Sequence, residues 1–224
     1  MSIYITLTPE SAPELVTATV TQVAELLSGG GIAVLAAEHG YIYACNAFDI
    51  EAVNEIHTLR GDPDFTAMQV MVGGTEVLTG LARDFDTEMK SLADSFWPGL
   101  LTIALMPQNA LVWDLGDHGE LSEFVVRIPD REFLRAVAKA TGPIAVASAA
   151  IAGQGASSQI DFVPAHESSI AIYVDEGELP AGPASTLIRR AILGKPGGLE
   201  IARLGAISQA EIAAIVPTIA VAVN

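Results

Sequence analysis

The chain has 224 residues, half of them apolar, enough to bury one sizeable core and to form one domain or at most two. Eleven Lys and Arg stand against 27 Asp and Glu, a formal net charge of −16; such a surface repels phosphate backbones and argues against a broad nucleic-acid footprint. No apolar run approaches the ~18 residues of a membrane span, the opening residues lack the basic segment of a signal peptide, and the single cysteine, Cys45, excludes an internal disulfide and a cysteine-based zinc cluster, so a reducing, cytoplasmic compartment is expected.

Taken along the chain, apolar spacing predicts a helix over 12–28, closed by Gly29, Gly30 and Gly31. Strand-like segments follow at 31–37 and 41–47, with Glu38-His39-Gly40 as the turn between them. Residues 50–59 put Val53, Ile56 and Leu59 on one helical face, 67–72 reads as a strand, and 84–96 as a short amphipathic helix. A buried strand, 100–107, starts after Trp97-Pro98-Gly99, whose role reads as structural. Next come a strand at 124–129, a helix at 131–142 with Gly142 at its end, and strands at 143–150, 168–177, 184–190 and 198–203. A terminal helix, 208–216, carries Ser208 and Glu211 at capping-box spacing; 217–224 has no assigned role. Roughly eight or nine strands thus interleave with four or five helices, an α/β (α+β) pattern in a single domain over 1–224. Strands that follow one another directly at 31–47 and 169–203 predict a mixed, twisted sheet.

Few residues point to chemistry unaided. Glu38-His39-Gly40 is either a polar turn or the floor of a site for a small polar ligand, and no metal constellation surrounds His39. Arg127, flanked by apolar residues in "VVRIP", needs a partner if buried: a pocket ligand or an internal ion pair. Arg131, Arg135 and Lys139 have the spacing of a solvated helix face. The loop "IAGQGASS" could lend backbone N–H groups to an anion but matches neither a Walker A nor a Rossmann fingerprint. Cys45 reads as core, and no Ser-His-Asp or Cys-His arrangement follows from spacing.

Seven short stretches occur in an order that goes further: "GIAVLAAEHGYIYACNA", "LRGDPDFTAMQV", "FWPGLLTIAL", "VVRIPD", "ASAAIAG", "ASTLIRR" and "ARLGAISQAEI". Together, over about residues 20–216, they resemble the YrdC-like fold family, the domain of threonylcarbamoyl-AMP synthases, with "HGYIYAC" and "FTAM" nearer its YciO-type branch. The resemblance implies a single-domain sheet with flanking helices and a central concave pocket. It also implies a reaction joining L-threonine, bicarbonate and ATP into threonylcarbamoyl-AMP and pyrophosphate, for modification of adenosine 37 of certain tRNAs, with magnesium accompanying the triphosphate. It places Glu38, His39, Tyr41 and Arg127 on the amino-acid side, Arg60 as a catalytic phosphate contact, and Ser148, Ser185, Thr186 and Arg203 on the nucleotide side, with Thr102 as a further lining residue.

The chain departs from the family pattern at several points. His39 replaces a threonine, Ala36-Ala37 replaces a Pro-Thr pair, and Ala150 stands where the family has asparagine. Asp62 replaces an arginine, and a carboxylate facing a triphosphate repels it. Two alternatives therefore stand beside the enzyme: a non-catalytic nucleotide- or metabolite-binding module, and an RNA-binding protein, which the acidic charge disfavours.

Overall fold

The structure is a computed structural model that describes residues 2–120, 122–164, 166, 168–191 and 198–222. The elements are, in order, β1 (Ile3–Thr6), α1 (Pro13–Ser28), β2 (Ile32–Ala36), β3 (Tyr41–Asn46), α2 (Ile50–Arg60), β4 (Gln69–Met71), α3 (Leu78–Leu81), α4 (Thr87–Phe96), β5 (Leu101–Leu105), β6 (Phe124–Arg127), α5 (Glu132–Thr141), β7 (Ile144–Ser148), β8 (Ile170–Asp175), β9 (Thr186–Arg190), β10 (Leu199–Arg203), α6 (Gln209–Ile215) and β11 (Ala220–Val221). Among the described residues, eleven strands form one sheet in the order β1-β8-β2-β3-β7-β4-β6-β5-β9-β10-β11. The sheet is mixed: β2–β3, β3–β7, β4–β7, β5–β6 and β9–β10 run antiparallel and the other pairs parallel.

The helix ends follow local chemistry. Pro13 in the first turn of α1 forfeits an N–H that would be unpaired there. Asp49 caps α2 by accepting from the Ala52 N–H, and left-handed Gly61 closes it. Asp86 caps α4 through the Met89 N–H at 3.1 Å, which is why that helix begins at Thr87 rather than at 84. Ser208 and Glu211 form the expected capping box of α6. Spacing did not disclose β1, β11 or α3. The two strands are short edge pieces, four and two residues long, and α3 has a single turn. β11 occupies part of the unassigned 217–224 segment, whose last two residues lie outside those described.

Side-chain alternation divides the core into two layers. On one face, Ala33, Leu35, Ile42, Ala44, Met71, Ile144 and Val146 meet Val23 and Leu27 of α1 and Phe133, Leu134 and Val137 of α5. On the other, Val34, Tyr41, Tyr43, Cys45, Val70, Leu101, Ile103 and Ile188 meet α2, α4 and α6. The α1–α5 layer draws on β2, β3, β4, β7 and β8, and on no described residue of β5, β9 or β10. The cavity lies on this face at the margin of that layer, sharing Ile42, Met71 and Val146 with it.

Leu134 is fully buried between α5 and the sheet. Leu134→Ala is expected to destabilise the fold by about 2–5 kcal/mol, read as a lower urea midpoint with an unchanged slope.

Candidate functional site

The cavity has a volume of about 470 Å³, within the range of small-molecule sites. Its floor comes mainly from strand positions of one parity, Ile42 of β3, Gln69 and Met71 of β4, Arg127 of β6, and Val146 and Ser148 of β7, with Ala147 between the last two. Three loops close it, carrying Glu38 and His39, Gly155 and Ala156, and Gly182 to Ser185; Arg203 stands at the rim. Of the residues singled out from sequence, Glu38, His39, Arg127, Ser148, Ser185 and Arg203 line it.

At one end, Arg127 Nη1 donates to Glu38 Oε1 at 2.5 Å, and the same oxygen accepts the Asp130 N–H at 2.7 Å. Both side chains are largely buried, at 6% and 11% exposed. Burial alone raises the Glu38 carboxyl pKa, but the Arg127 guanidinium and the Asp130 N–H outweigh it and hold the group below its ordinary value. Arg127 Nε is buried without a partner among the described residues. Nearby, His39 Nδ1 donates to the Pro180 carbonyl at 2.9 Å, which fixes the ring against the loop before Gly182.

The other end is built on hydroxyls. Gln69 Nε2 donates to Thr102 Oγ1 at 3.0 Å, and Thr102 Oγ1 lies 2.7 Å from Ser185 Oγ. Arg203 Nη2 donates to Ser185 Oγ and to the Ser185 carbonyl, both at 3.0 Å. With Gln69 donating to Thr102, the Thr102 hydroxyl can donate to Ser185; Ser185 Oγ then accepts twice, from Thr102 and Arg203, and keeps its own O–H to donate to a ligand. Arg203 owes its place to backbone geometry. Ile201 pairs with Ile188 on the core face, the register then slips, and Arg203 pairs with Leu187 on the cavity face. That β-bulge re-aims the arginine.

Four sequence-derived site residues lie outside the lining, and this corrects the expectation of direct contact. Thr102, buried, touches the lining residues Gln69 and Ser185 but does not itself line the cavity. Tyr41, Thr186 and Arg60 are likewise engaged elsewhere. Tyr41 has the opposite parity and is fully buried; its hydroxyl donates to the Gly177 carbonyl at 2.8 Å and accepts the Glu176 N–H at 3.0 Å. Thr186, also buried, donates to the Ile207 carbonyl at 2.7 Å and accepts the Gly205 and Ile207 N–H groups. Arg60 grips Asp62 with Nε at 2.8 Å and Nη2 at 3.0 Å, while Nη1 donates to the carbonyls of Ser148 and Ala150. Asp62 also faces His57 Nδ1 at 2.9 Å. Burial raises the Asp62 pKa, and the Arg60 and His57 contacts outweigh that and lower it. The charge reversal at Asp62 is thus absorbed inside the protein rather than presented to a ligand.

The remaining candidates are less engaged with the cavity. Burial pushes the Cys45 thiol up to about 12, the state of a core residue. Arg131 pairs with Glu176 at 2.6 Å, and Arg135 donates to the Pro129 carbonyl at 2.9 Å, so these two are not free surface cations. Sequence reasoning missed Gln69 as a site residue; the signal was a polar residue inside the otherwise apolar run "AMQVMV".

Glu38→Gln leaves buried Arg127 without its counter-charge and is expected to cost about 3–5 kcal/mol at pH 7. Because the folded-state pKa is depressed, the Glu38 contribution is complete above its ordinary value of 4.5 and is lost as pH falls through the folded value. The gap between wild type and variant in urea denaturation should therefore shrink in that acid range.

The Sua5/YciO/YrdC family model, described as "Telomere recombination", matches residues 25–205. The threonylcarbamoyl-AMP synthase of Pyrococcus abyssi is 31% identical over 178 residues, covering 77% of this chain and 52% of its own length. A Mycobacterium leprae relative is 29% identical over 164 residues, covering 72% of this chain and 73% of its own. The crystal structure of P. abyssi Sua5 complexed with L-threonine superposes with a TM-score of 0.83 at 26% identity, over 99% of this chain and 63% of that one. E. coli YciO shares the fold, with a TM-score of 0.74 at 20% identity over 92% of this chain and 96% of that one. This chain thus spans only about half to two thirds of the two Pyrococcus chains. With a family model covering most of its length and the expected cavity in place, the chain belongs to the Sua5/YciO/YrdC family.

Proposed function

We propose that the cavity binds L-threonine and an adenosine nucleotide and supports synthesis of threonylcarbamoyl-AMP. The observation that carries this reading is the pairing of two polar ends in one cavity: Glu38 with Arg127, and Ser185 with Arg203. The first suits an amino acid, with Arg127 drawing the carboxylate and Glu38 accepting from the nitrogen. The second suits a phosphate, with a guanidinium beside a hydroxyl free to donate. Kinship with synthases and with a threonine-bound Sua5 supports the assignment.

The chemistry follows in two steps. The threonine amine adds to bicarbonate and loses water, giving a carbamate. A carbamate oxygen then attacks the α-phosphorus of ATP, the bond to the β-phosphate oxygen breaks, and pyrophosphate leaves. The residues contribute position and charge rather than a covalent intermediate. Ser148 and Ser185 would orient the phosphate oxygens, while Thr186 and Arg60 hold the turns that carry Arg203 and Ser148. Among the described residues Glu38 is the one carboxylate in the lining, its Oε1 accepts from Arg127 and Asp130, and there is no cluster of three or more metal-ligating side chains. The cavity thus does not fit a resident magnesium ion; magnesium carried by the triphosphate would enter as part of the substrate. No helix among the described residues is long and apolar enough to cross a membrane, and a cytoplasmic setting accords with the substrates.

A second reading, binding without turnover, is favoured by the engagement of Arg60 with Asp62 and the 148–150 turn. One assay separates the two. An enzyme releases pyrophosphate from ATP only when threonine and bicarbonate are both present. A binding module shows nucleotide-dependent thermal stabilisation without release, about 2.7 kcal/mol at a hundredfold excess over the dissociation constant. Neither signal would overturn both readings.

A further inference from the structure

A second cavity, of about 660 Å³, lies between α1 and the start of α5 and shares no lining residue with the central one. Its volume falls in the range of small-molecule sites. One wall is apolar: Leu7, just after β1, with Val16 and Val20 of α1 and Phe133 and Ala136 of α5. Opposite this wall the lining carries charged side chains, Asp130, Arg131, Glu132 and Glu176. The Asp130 carboxylate is 67% exposed and faces Arg135, which is not in the lining, at 3.3 Å. That leaves two carboxylates, Glu132 and Glu176, against one guanidinium, Arg131.

Glu176 carries the argument. Its Oε2 accepts from Arg131 Nη2 at 2.6 Å, while Oε1 is buried without a partner among the described residues. Burial raises the Glu176 pKa, and the Arg131 contact does not cancel that rise. A buried carboxylate oxygen with no donor costs free energy that a bound donor recovers. A cationic donor recovers most, because it also supplies counter-charge. The backbone of this wall is tied down: the Glu176 N–H donates to Tyr41 Oη at 3.0 Å and the Asp130 N–H to Glu38 Oε1 at 2.7 Å. An anion would meet the surplus of carboxylates, and a wholly polar cation would leave the apolar wall uncovered.

We propose that this second cavity binds a small organic cation with an apolar body, an alkyl- or arylammonium ion, whose nitrogen donates to Glu176 while its body covers Val16, Val20 and Phe133. The site stands whatever fills the central cavity.

Nuclear magnetic resonance titration of the full chain with benzylamine, benzyl alcohol and benzoate tests this. Benzylamine is expected to give saturable shifts of the Leu7, Val16 and Val20 methyl groups and to leave Ile42 and Met71 of the central cavity unmoved. Benzyl alcohol, of the same shape without the charge, should bind about tenfold more weakly, the worth of a hydrogen bond to a charged group. Benzoate should not bind. Glu176→Gln should weaken benzylamine by about tenfold for the same reason, at an unchanged melting temperature. Thr17→Trp, at an exposed position of the lining, should abolish binding by filling the cavity. Shifts centred on Ile42 and Met71, equal affinity for amine and alcohol, or wild-type affinity in either folded variant overturns the proposal, as does the absence of any saturable shift.

Discussion

One carboxylate oxygen holds the walls of the cavity together. Glu38 Oε1 accepts from Arg127 of β6 and from the backbone of Asp130, just ahead of α5. The β2–β3 turn, a central strand and the entry to a core helix thus meet at one atom. Arg127 sits mid-sheet at 5% exposure, where an unpaired guanidinium would be severely destabilising. Glu38 neutralises it while both residues keep facing the cavity, so the contact that makes the strand tolerable also forms one end of the site. This resolves the two sequence readings of Arg127: it is at once an internal ion pair and a pocket cation.

A second buried pair shapes the other wall indirectly. Asp62 is 4% exposed and Arg60 12%, and His57 closes the cluster from α2, with its Nε2 on the Leu115 carbonyl at 3.0 Å. Through Nη1, Arg60 fastens the carbonyls of Ser148 and Ala150, the turn where β7 leaves the sheet. Paired with Asp62, Arg60 thus braces the turn that follows Ser148. This also explains why Ala150 is tolerated as a small apolar residue: the turn is held by its backbone.

Much of the fold was legible because long segments repeat with a clear period. The helices at α1, α2 and α5 and the hairpin of β2 and β3 follow from spacing and glycine stops. The site was legible only in part. Ordered motifs named Glu38, Arg127, Ser148, Ser185 and Arg203, but a motif does not state parity. Tyr41 and Thr186 sit one position out of phase with the cavity face, and each closes a neighbouring turn instead. Arg203 shows the converse: strict alternation from Ile201 puts it on the core face, and only the bulge between them returns it to the cavity. Long-range partners such as Asp130 for Glu38, or Gln69 for Thr102, depend on a strand order that local pattern does not encode.

The loops that close the cavity meet through small residues. A β-carbon on Gly40 would lie 2.5 Å from the Cβ of Ala156, and one on Gly182 would lie 2.3 Å from the His39 ring. At the first position the β2–β3 turn touches the 153–157 loop; at the second the 180–184 loop rests on His39. Ala37, Ala147 and Ala184 continue the pattern. Small residues let three loops converge without filling the space between them, and the hydrogen bonds from the Tyr41 N–H to the Ser157 carbonyl and from His39 to Pro180 keep them there. The approach of the loops is therefore set by small residues and by these hydrogen bonds. The charged side chains that reach this cavity among the described residues are Glu38, Arg127 and Arg203.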